Sequence, residues 1–231
     1  MTPWPVPGGL LERLGLPPGE VEELSRHRAR ELVSDRWRPE AAELAASLVY
    51  ASGDPSLAEA IRIGGDPVAR ARRAISAGAG VLVDVGMVAA GVRIPAGLRL
   101  GVAIAHRDAA ALAREGGGTR AAAGMCLGWE ELGIGGVVGV GNAPSALLAV
   151  LDLAASVGPP ACVVATCPGL HLAAEAKAAL EASGLDFVAV AGSRGGSGLC
   201  AAALNALVST GGVGCGLEER ITSGSEDGRR P

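Results

Sequence analysis

The chain has 231 residues, and its 20 Lys and Arg against 24 Asp and Glu give a formal net charge of −4. Hydrophobic residues make up 49% of the sequence and charged residues 19%, a composition that excludes an intrinsically disordered chain. Aromatic residues make up only 2%, which argues against a base-stacking surface, and the acidic balance argues against nucleic acid as a partner.

The cysteine spacing and the N-terminal residues indicate the cellular compartment of the protein. The 5 cysteines are widely spaced without a C-x-x-C pair, so neither a zinc ribbon nor a redox pair is predicted, and reduced thiols are typical of a cytoplasmic protein. Neither a signal peptide nor a membrane span is predicted. We expect an extended Pro/Gly-rich lead over residues 1–18, a single α/β domain over 19–210 and a polar, flexible tail over 211–231.

The first part of the domain is predicted to be helical. Residues 19–33 carry charges at most positions and a thin apolar stripe, which indicates a surface helix. Residues 40–50 are rich in alanine and form a second helix, which the turn signal Ser52-Gly53-Asp54-Pro55 ends. A third helix is predicted over residues 67–77.

From residue 81 onward, short apolar stretches alternate with helical ones. Strands are predicted at 81–85, 98–105, 136–140, 161–165 and 187–191, and helices at 107–114, 117–127, 145–155, 172–183 and 198–208. Alternation of this kind is typical of βαβ units, so the sequence predicts a doubly wound α/β fold with a parallel sheet of about five strands. In such a sheet, ligands bind outside the carboxyl ends of the strands.

The loop after the third predicted strand begins like a dinucleotide-binding fingerprint. Residues 139–144 read GVGNAP, in which Pro144 stands where the third glycine belongs, and this argues against NAD. We expect Asn142 to cap the following helix and leave backbone N–H groups free for a ligand oxygen. The alternative is a tight turn that binds no ligand.

The glycine-rich loop at residues 192–198, GSRGGSG, lacks the lysine of a nucleotide P-loop. Its backbone N–H groups and the guanidinium of Arg194 suit a carboxylate, although a flexible connector is the alternative. The 3 histidines have no partner at helical spacing, so no metal site is predicted. His171 follows the fourth predicted strand at the expected ligand edge.

Three blocks in order carry a family resemblance: residues 140–147 (VGNAPSAL), 175–180 (EAKAAL), and 194–197 (RGGS) leading to 201–207 (AAALNAL). Upstream, Ser25, Gly53-Asp54, Asp84, Met87 and Thr119-Arg120 follow in the same order. Over residues 20–208 or so, the sequence resembles the precorrin-8X methylmutase (cobalt-precorrin-8 methylmutase) family of cobalamin biosynthesis.

The resemblance implies a flavodoxin-like sheet and a homodimer with its active site at the interface. It implies an isomerase that moves a methyl group from C11 to C12 of a corrinoid precursor, assisted by protonation of the macrocycle and without metal or other cofactor. The substrate is a tetrapyrrole rimmed with carboxylates. The implied substrate-binding residues are Ser25, Asp84, Met87, Thr119, Arg120, Asn142, Ala143, Arg194, Gly195 and Gly196.

One departure concerns the proton donor. Tyr50 stands where the family has its catalytic histidine, and Arg26 follows Ser25 where the family has phenylalanine. A phenol, with a pKa of about 10, is a weaker acid than an imidazolium, with a pKa of about 6.5, so we expect a slow rather than an inactive enzyme. Either Tyr50 or His171 is the catalytic acid. The alternatives are a corrinoid-binding paralogue without catalysis and, less favoured, a structural protein without a ligand.

Overall fold

The computed structural model of the chain describes residues 7–10, 13, 15 and 18–208. The predicted tail, residues 211–231, lies outside the described residues, and so does most of the predicted lead. Within the described part of the chain, no helix is long and apolar enough to cross a membrane.

Among the described residues, two helices confirm the predicted N-terminal helical additions, α1 (Pro18–Glu31) and α2 (Pro39–Ser52). The short helix α3 (Leu57–Ala60), which was not predicted, follows them. Helix α2 has a proline in its first turn, where the missing N–H costs nothing, and ends at Gly53 with a φ of 64°. Leu44 and Leu48, one helical turn apart, are both buried in the core. The position of Gly53 places Tyr50 in the last turn of α2.

The sheet has six strands: β1 (Ile61–Gly64), β2 (Val81–Val83), β3 (Leu100–Val102), β4 (Val137–Val140), β5 (Cys162–Ala165) and β6 (Phe187–Val190). Their spatial order is β1-β6-β5-β4-β2-β3, and the five strands from β2 to β6 are parallel, which confirms the predicted strands. Strand β1 was not predicted. It pairs antiparallel with β6 at the edge of the sheet, with Ile61 opposite Val190.

Within residues 61–208, seven further α-helices cover the sheet: α4 (Pro67–Ser76), α5 (Gly86–Gly91), α6 (Ala109–Glu115), α7 (Arg120–Gly128), α8 (Pro144–Ser156), α9 (Ala173–Glu181) and α10 (Ser197–Val208). Buried residues of α1, α2, α4, α5 and α10 form one apolar cluster, and those of α7, α8 and α9 form another. Strands β2, β4, β5 and β6 are buried throughout, as expected for a sheet covered on both faces. The fold is therefore doubly wound.

The parallel strands follow the flavodoxin-like order: β2, the first parallel strand in the chain, lies between β3 and β4. The chain reverses direction across the sheet between β2 and β4, so the crevice at their carboxyl ends is where this fold binds ligands. The loops that follow these two strands begin at Asp84 and at Gly141.

Candidate active site

Asp84 joins the carboxyl ends of β2 and β4. Its side chain is wholly buried, and Oδ1 accepts hydrogen bonds of 3.0 Å from the backbone N–H groups of Val85 and Gly141. Oδ2 accepts from the N–H groups of Asn142 and Ala143, at 2.8 and 2.9 Å. We call this carboxylate and its four amide donors the Asp84 bridge. The bridge satisfies a buried charge and fixes the strand-to-helix turn at the same time.

The Asp84 bridge bears on three predictions. Asp84 was expected to bind the substrate; its side chain is buried and accepts hydrogen bonds from the protein's own amides, and its contact with a substrate stays a prediction. The N–H groups of Asn142 and Ala143 were expected to be free, and they are not. Asn142 is also not the helix cap, because α8 begins after Ala143 without a side-chain cap; the Asn142 side chain is exposed.

Thr119 and Arg120 lie at the start of α7. The Thr119 hydroxyl accepts a hydrogen bond of 3.2 Å from the N–H of Ala122 and shares another of 2.7 Å with the hydroxyl of Ser145, in the first turn of α8. Arg120 is exposed, and within the described residues its guanidinium has no hydrogen bond or ion pair. A cation at a helix N-terminus is not stabilised by the helix dipole, so helix stability does not explain Arg120.

The glycine loop after β6 is tightly fixed. A Cβ at Gly195 would lie 1.9 Å from the carbonyl oxygen of Thr166, which follows β5. Thr166 in turn donates its hydroxyl to the carbonyl of Gly196 at 3.0 Å. Both glycines have positive φ angles, 152° and 143°, that other residues rarely adopt. The loop is therefore not the flexible connector that the sequence left open.

Lys177, the single lysine of the chain, also contacts the glycine loop after β6. Its side chain is buried, and Nζ donates to the carbonyl of Arg194 at 2.9 Å. Burial lowers the pKa of Lys177, an effect that the neighbouring thiol of Cys167 opposes. Burial also raises the pKa of Cys167 to about 11, so this thiol is no nucleophile at neutral pH.

Arg194 already holds a carboxylate of the protein itself. Its Nη1 donates to Oδ2 of Asp54 at 3.0 Å and to the hydroxyl of Ser56 at 2.9 Å, an arrangement that we call the Arg194 clasp. Hydrogen bonds from Ser56, and then the charge of Arg194, lower the pKa of Asp54. The clasp ties the glycine loop to the turn after α2, and a contact between Arg194 and the substrate stays a prediction.

A cavity of about 430 Å³ lies between α1 and the end of α2. Its walls are formed by Leu24, Ser25, Arg28, Ala29, Leu32, Val49, Tyr50, Gly53 and Pro55. Of the predicted site residues, the α1–α2 cavity brings together Ser25 and Tyr50. The Ser25 hydroxyl donates to the carbonyl of Val21 at 2.6 Å, whereas the hydroxyl of the half-buried Tyr50 has no hydrogen-bond partner among the residues that the structure describes.

The remaining predicted residues lie elsewhere at the carboxyl edge, Met87 in the first turn of α5 and His171 in the loop after β5. His171 is exposed between β5 and α9 and is not part of the cavity wall. Met87 follows β2 and is 64% exposed. The N–H of Gly169 donates to the carbonyl of Ser193 at 3.0 Å, so the loop that carries His171 is joined to the glycine loop and, through the Arg194 clasp, to the turn beside the cavity.

Sequence reasoning missed several residues of this edge. Arg28 lines the cavity, and the guanidinium of Arg26 lies 4.4 Å from the centre of the Tyr50 ring. The only local signal was Arg26 itself, at a position where the family has phenylalanine. Ser197, at the start of α10, has a buried hydroxyl without a partner in the described residues. Lys177 and Asp54 lie in segments that carry the family resemblance, but the sequence did not show that both contact Arg194, which is distant from them in the chain.

Comparisons with known proteins agree with one another. A profile of the family described as precorrin-8X methylmutase (CbiC) matches residues 20–210. The chain is 40% identical to the precorrin-8X methylmutase of a Sinorhizobium species over 182 residues, which are 76% of this chain and 86% of that protein. It is 28% identical to the cobalt-precorrin-8 methylmutase of Methanocaldococcus jannaschii, over 80% of this chain and 89% of that protein.

A solved structure is similar as well. The precorrin-8X methylmutase of Thermus thermophilus superposes with a TM-score of 0.71 at 31% identity, over 81% of this chain and 94% of that one.

Proposed function

Because this chain belongs to the precorrin-8X methylmutase family and is an isomerase of cobalamin biosynthesis, we propose that it moves a methyl group from C11 to C12 of precorrin-8X or cobalt-precorrin-8. The observation that carries the proposal is the α1–α2 cavity. Its wall contains Tyr50, whose hydroxyl has no hydrogen-bond partner among the described residues, together with Ser25 and Arg28.

Tyr50 is the proton donor in this proposal. The reaction breaks the C11–methyl bond and forms the C12–methyl bond within one molecule, so atoms and electrons balance without a cofactor. The macrocycle needs a proton, or a strong hydrogen bond, at a ring nitrogen while the methyl group migrates, and the donor recovers it afterwards. His171 is the less favoured donor, because it lies on a separate exposed loop outside the cavity wall.

The carboxylates of the substrate require cations that the protein does not use internally. Arg120 meets this requirement, because its guanidinium has no partner within the described chain. Arg28 lines the cavity and shares its charge with an exposed glutamate, Glu31, at 2.9 Å. In this proposal Arg28 and Arg120 bind carboxylates of the substrate rim, and the Arg194 clasp shapes the site without direct contact.

A homodimer in the cytoplasm completes the proposal. Val21 and Leu24 on α1, next to the cavity, are 49% and 57% exposed and supply an apolar surface for a second copy of the chain. The described cysteines, Cys126, Cys162, Cys167 and Cys200, form no disulfide, which supports a reducing compartment. Light scattering on the purified protein tests the dimer, and a monomer at micromolar concentration would rule it out.

The reaction itself is tested with the purified protein and two substrates in parallel, precorrin-8X and cobalt-precorrin-8. We expect the visible spectrum of one of them to change to that of its methyl-shifted isomer, and the faster arm identifies the natural substrate. No conversion of either over hours at high protein concentration would contradict the proposal. A spectral shift on binding without product would identify the non-catalytic paralogue.

A further inference from the structure

The guanidinium of Arg26 lies over the ring of Tyr50, and this contact bears on how the ring is oriented. Tyr50 is the single tyrosine of the chain and sits half-buried in the last turn of α2. Rotation of a phenol ring about its last side-chain torsion is soft, and no hydrogen bond from the described residues holds the hydroxyl. The ring must therefore be oriented by contacts on its faces.

The guanidinium of Arg26 supplies such a contact. Its carbon lies 4.4 Å from the ring centre, within the range of a cation–π interaction. Its Nε and Nη2 both donate to Oε1 of Glu22, at 3.0 and 2.9 Å, one helical turn earlier on α1. A glutamate four residues before an arginine is the favourable orientation on a helix. Glu22 thus holds the planar group on the ring.

Helix α1 is itself fixed relative to α2, so the contact does not depend on a free helix. Arg30 on α1 donates to Glu43 on α2 at 2.8 Å, and the buried Ala29 packs in the same apolar cluster as Leu44 and Val49. The two helices and the Glu22–Arg26 pair therefore set where the Tyr50 ring stands in the cavity wall.

We propose that Arg26 is a positioning residue for Tyr50, because its guanidinium, held by Glu22, covers the phenol ring and keeps it in the orientation that lines the α1–α2 cavity. The inference rests on the proposed function, in which Tyr50 donates the proton. Arg26 itself acts through the ring and does not touch the reacting atoms. A lysine retains the charge but not the planar stack or the paired hydrogen bonds, so it replaces Arg26 only in part.

The test uses the fact that a protein labelled with ¹³C-tyrosine reports Tyr50 alone. Arg26→Met and Arg26→Lys are compared with Arg99→Met, a matched control whose exposed arginine pairs with Glu131 at 3.5 Å and has no aromatic ring beneath it among the described residues. We expect the ring signals of Tyr50 to shift in Arg26→Met, to shift less in Arg26→Lys, and to stay in place in Arg99→Met.

Steady-state kinetics with the tetrapyrrole substrate give the second measurement. A cation–π contact at an exposed site corresponds to about a two- to five-fold change in rate, so kcat of Arg26→Met should fall by about that factor while KM changes less than about two-fold. Arg26→Lys should recover part of the loss. Tyr50→Phe, measured alongside, shows independently whether the phenol is the donor.

The outcomes separate the two proposals. Unchanged ring signals in Arg26→Met would overturn the positioning role, whatever the activity. Shifted signals with an unchanged kcat, in a protein that Tyr50→Phe slows, would also overturn it. If Tyr50→Phe itself retains the full kcat, the donor assignment fails, and the role of Arg26 in the reaction fails with it for that separate reason.

Discussion

The Asp84 bridge and the α1–α2 cavity both lie near the carboxyl edge of the sheet, but they differ in what their polar groups do. In the Asp84 bridge, a buried carboxylate accepts four hydrogen bonds and leaves nothing for a ligand. In the cavity wall, the Tyr50 hydroxyl has no partner in the described chain, and Arg28 pairs with the exposed Glu31. The difference separates the residues that build the edge from those left to bind and react.

The largest expected effect comes from removing the carboxylate of the Asp84 bridge. Asp84→Ala leaves four amide hydrogens without an acceptor, and buried unsatisfied donors cost about 1–3 kcal/mol each before relaxation, so we expect the free energy of unfolding to fall by roughly 3–5 kcal/mol. Urea denaturation measures it. Asp152→Ala, at an exposed position on α8, is the control and should change little. A loss below about 1 kcal/mol in Asp84→Ala would show that the bridge is not structural.

The glycine loop is joined to the turn beside the cavity by the Arg194 clasp, and a substitution in this loop is expected to cost less. An added Cβ at Gly195 meets the Thr166 carbonyl at 1.9 Å, so Gly195→Ala must displace backbone and should destabilise the protein by about 1–3 kcal/mol. Gly198→Ala, a few residues on, has nothing within 4 Å of the new Cβ and lies in α10, where alanine is favourable. Equal thermal midpoints for the two variants would contradict the close packing of this loop.

The smallest expected effect is on the thermal midpoint at acid pH, where protonation of Asp54 should open the Arg194 clasp. The pKa of Asp54 is lowered in the folded protein, so its contribution to stability is complete above the unfolded value of about 3.9 and is lost as the pH falls through the lower folded value. Asp54→Asn lacks this contribution at every pH. We therefore expect the thermal midpoints of the two proteins to differ slightly at pH 6 and to converge below about pH 3.9. A constant difference down to pH 3 would contradict the assignment.

Most of the sheet was predictable because four of its strands, β2, β4, β5 and β6, are buried on both faces. Continuous apolar stretches such as residues 81–83 and 162–165, set between helical stretches, identify parallel strands without any knowledge of partners. Strand β1 was missed for a physical reason. It is four residues long, follows helix α3 without a turn, and depends on β6, more than a hundred residues later, for its hydrogen bonds.

The site was predictable only as a set of loops. The sequence placed Asn142 and Asp84 in loops that each follow a strand. It could not show that the N–H of Asn142 donates to the carboxylate of Asp84, since the residues are 58 positions apart. In the same way, the partner of Arg194 is 140 positions away at Asp54. The sequence indicates which groups can bind anions, namely arginine side chains and the backbone N–H groups of glycine-rich loops. Only the folded chain shows that some of these anions are the protein's own carboxylates.

The most direct test of the account is the single-turnover rate of Tyr50→Phe with precorrin-8X, set beside the affinity of the same variant for the substrate. Loss of a general acid costs about 10²–10⁴ in rate, so we expect the methyl shift to slow at least about 100-fold while the dissociation constant changes less than about three-fold. A variant that converts substrate at the rate of the unaltered protein would contradict the account, because the open hydroxyl of the α1–α2 cavity would then take no part in the reaction.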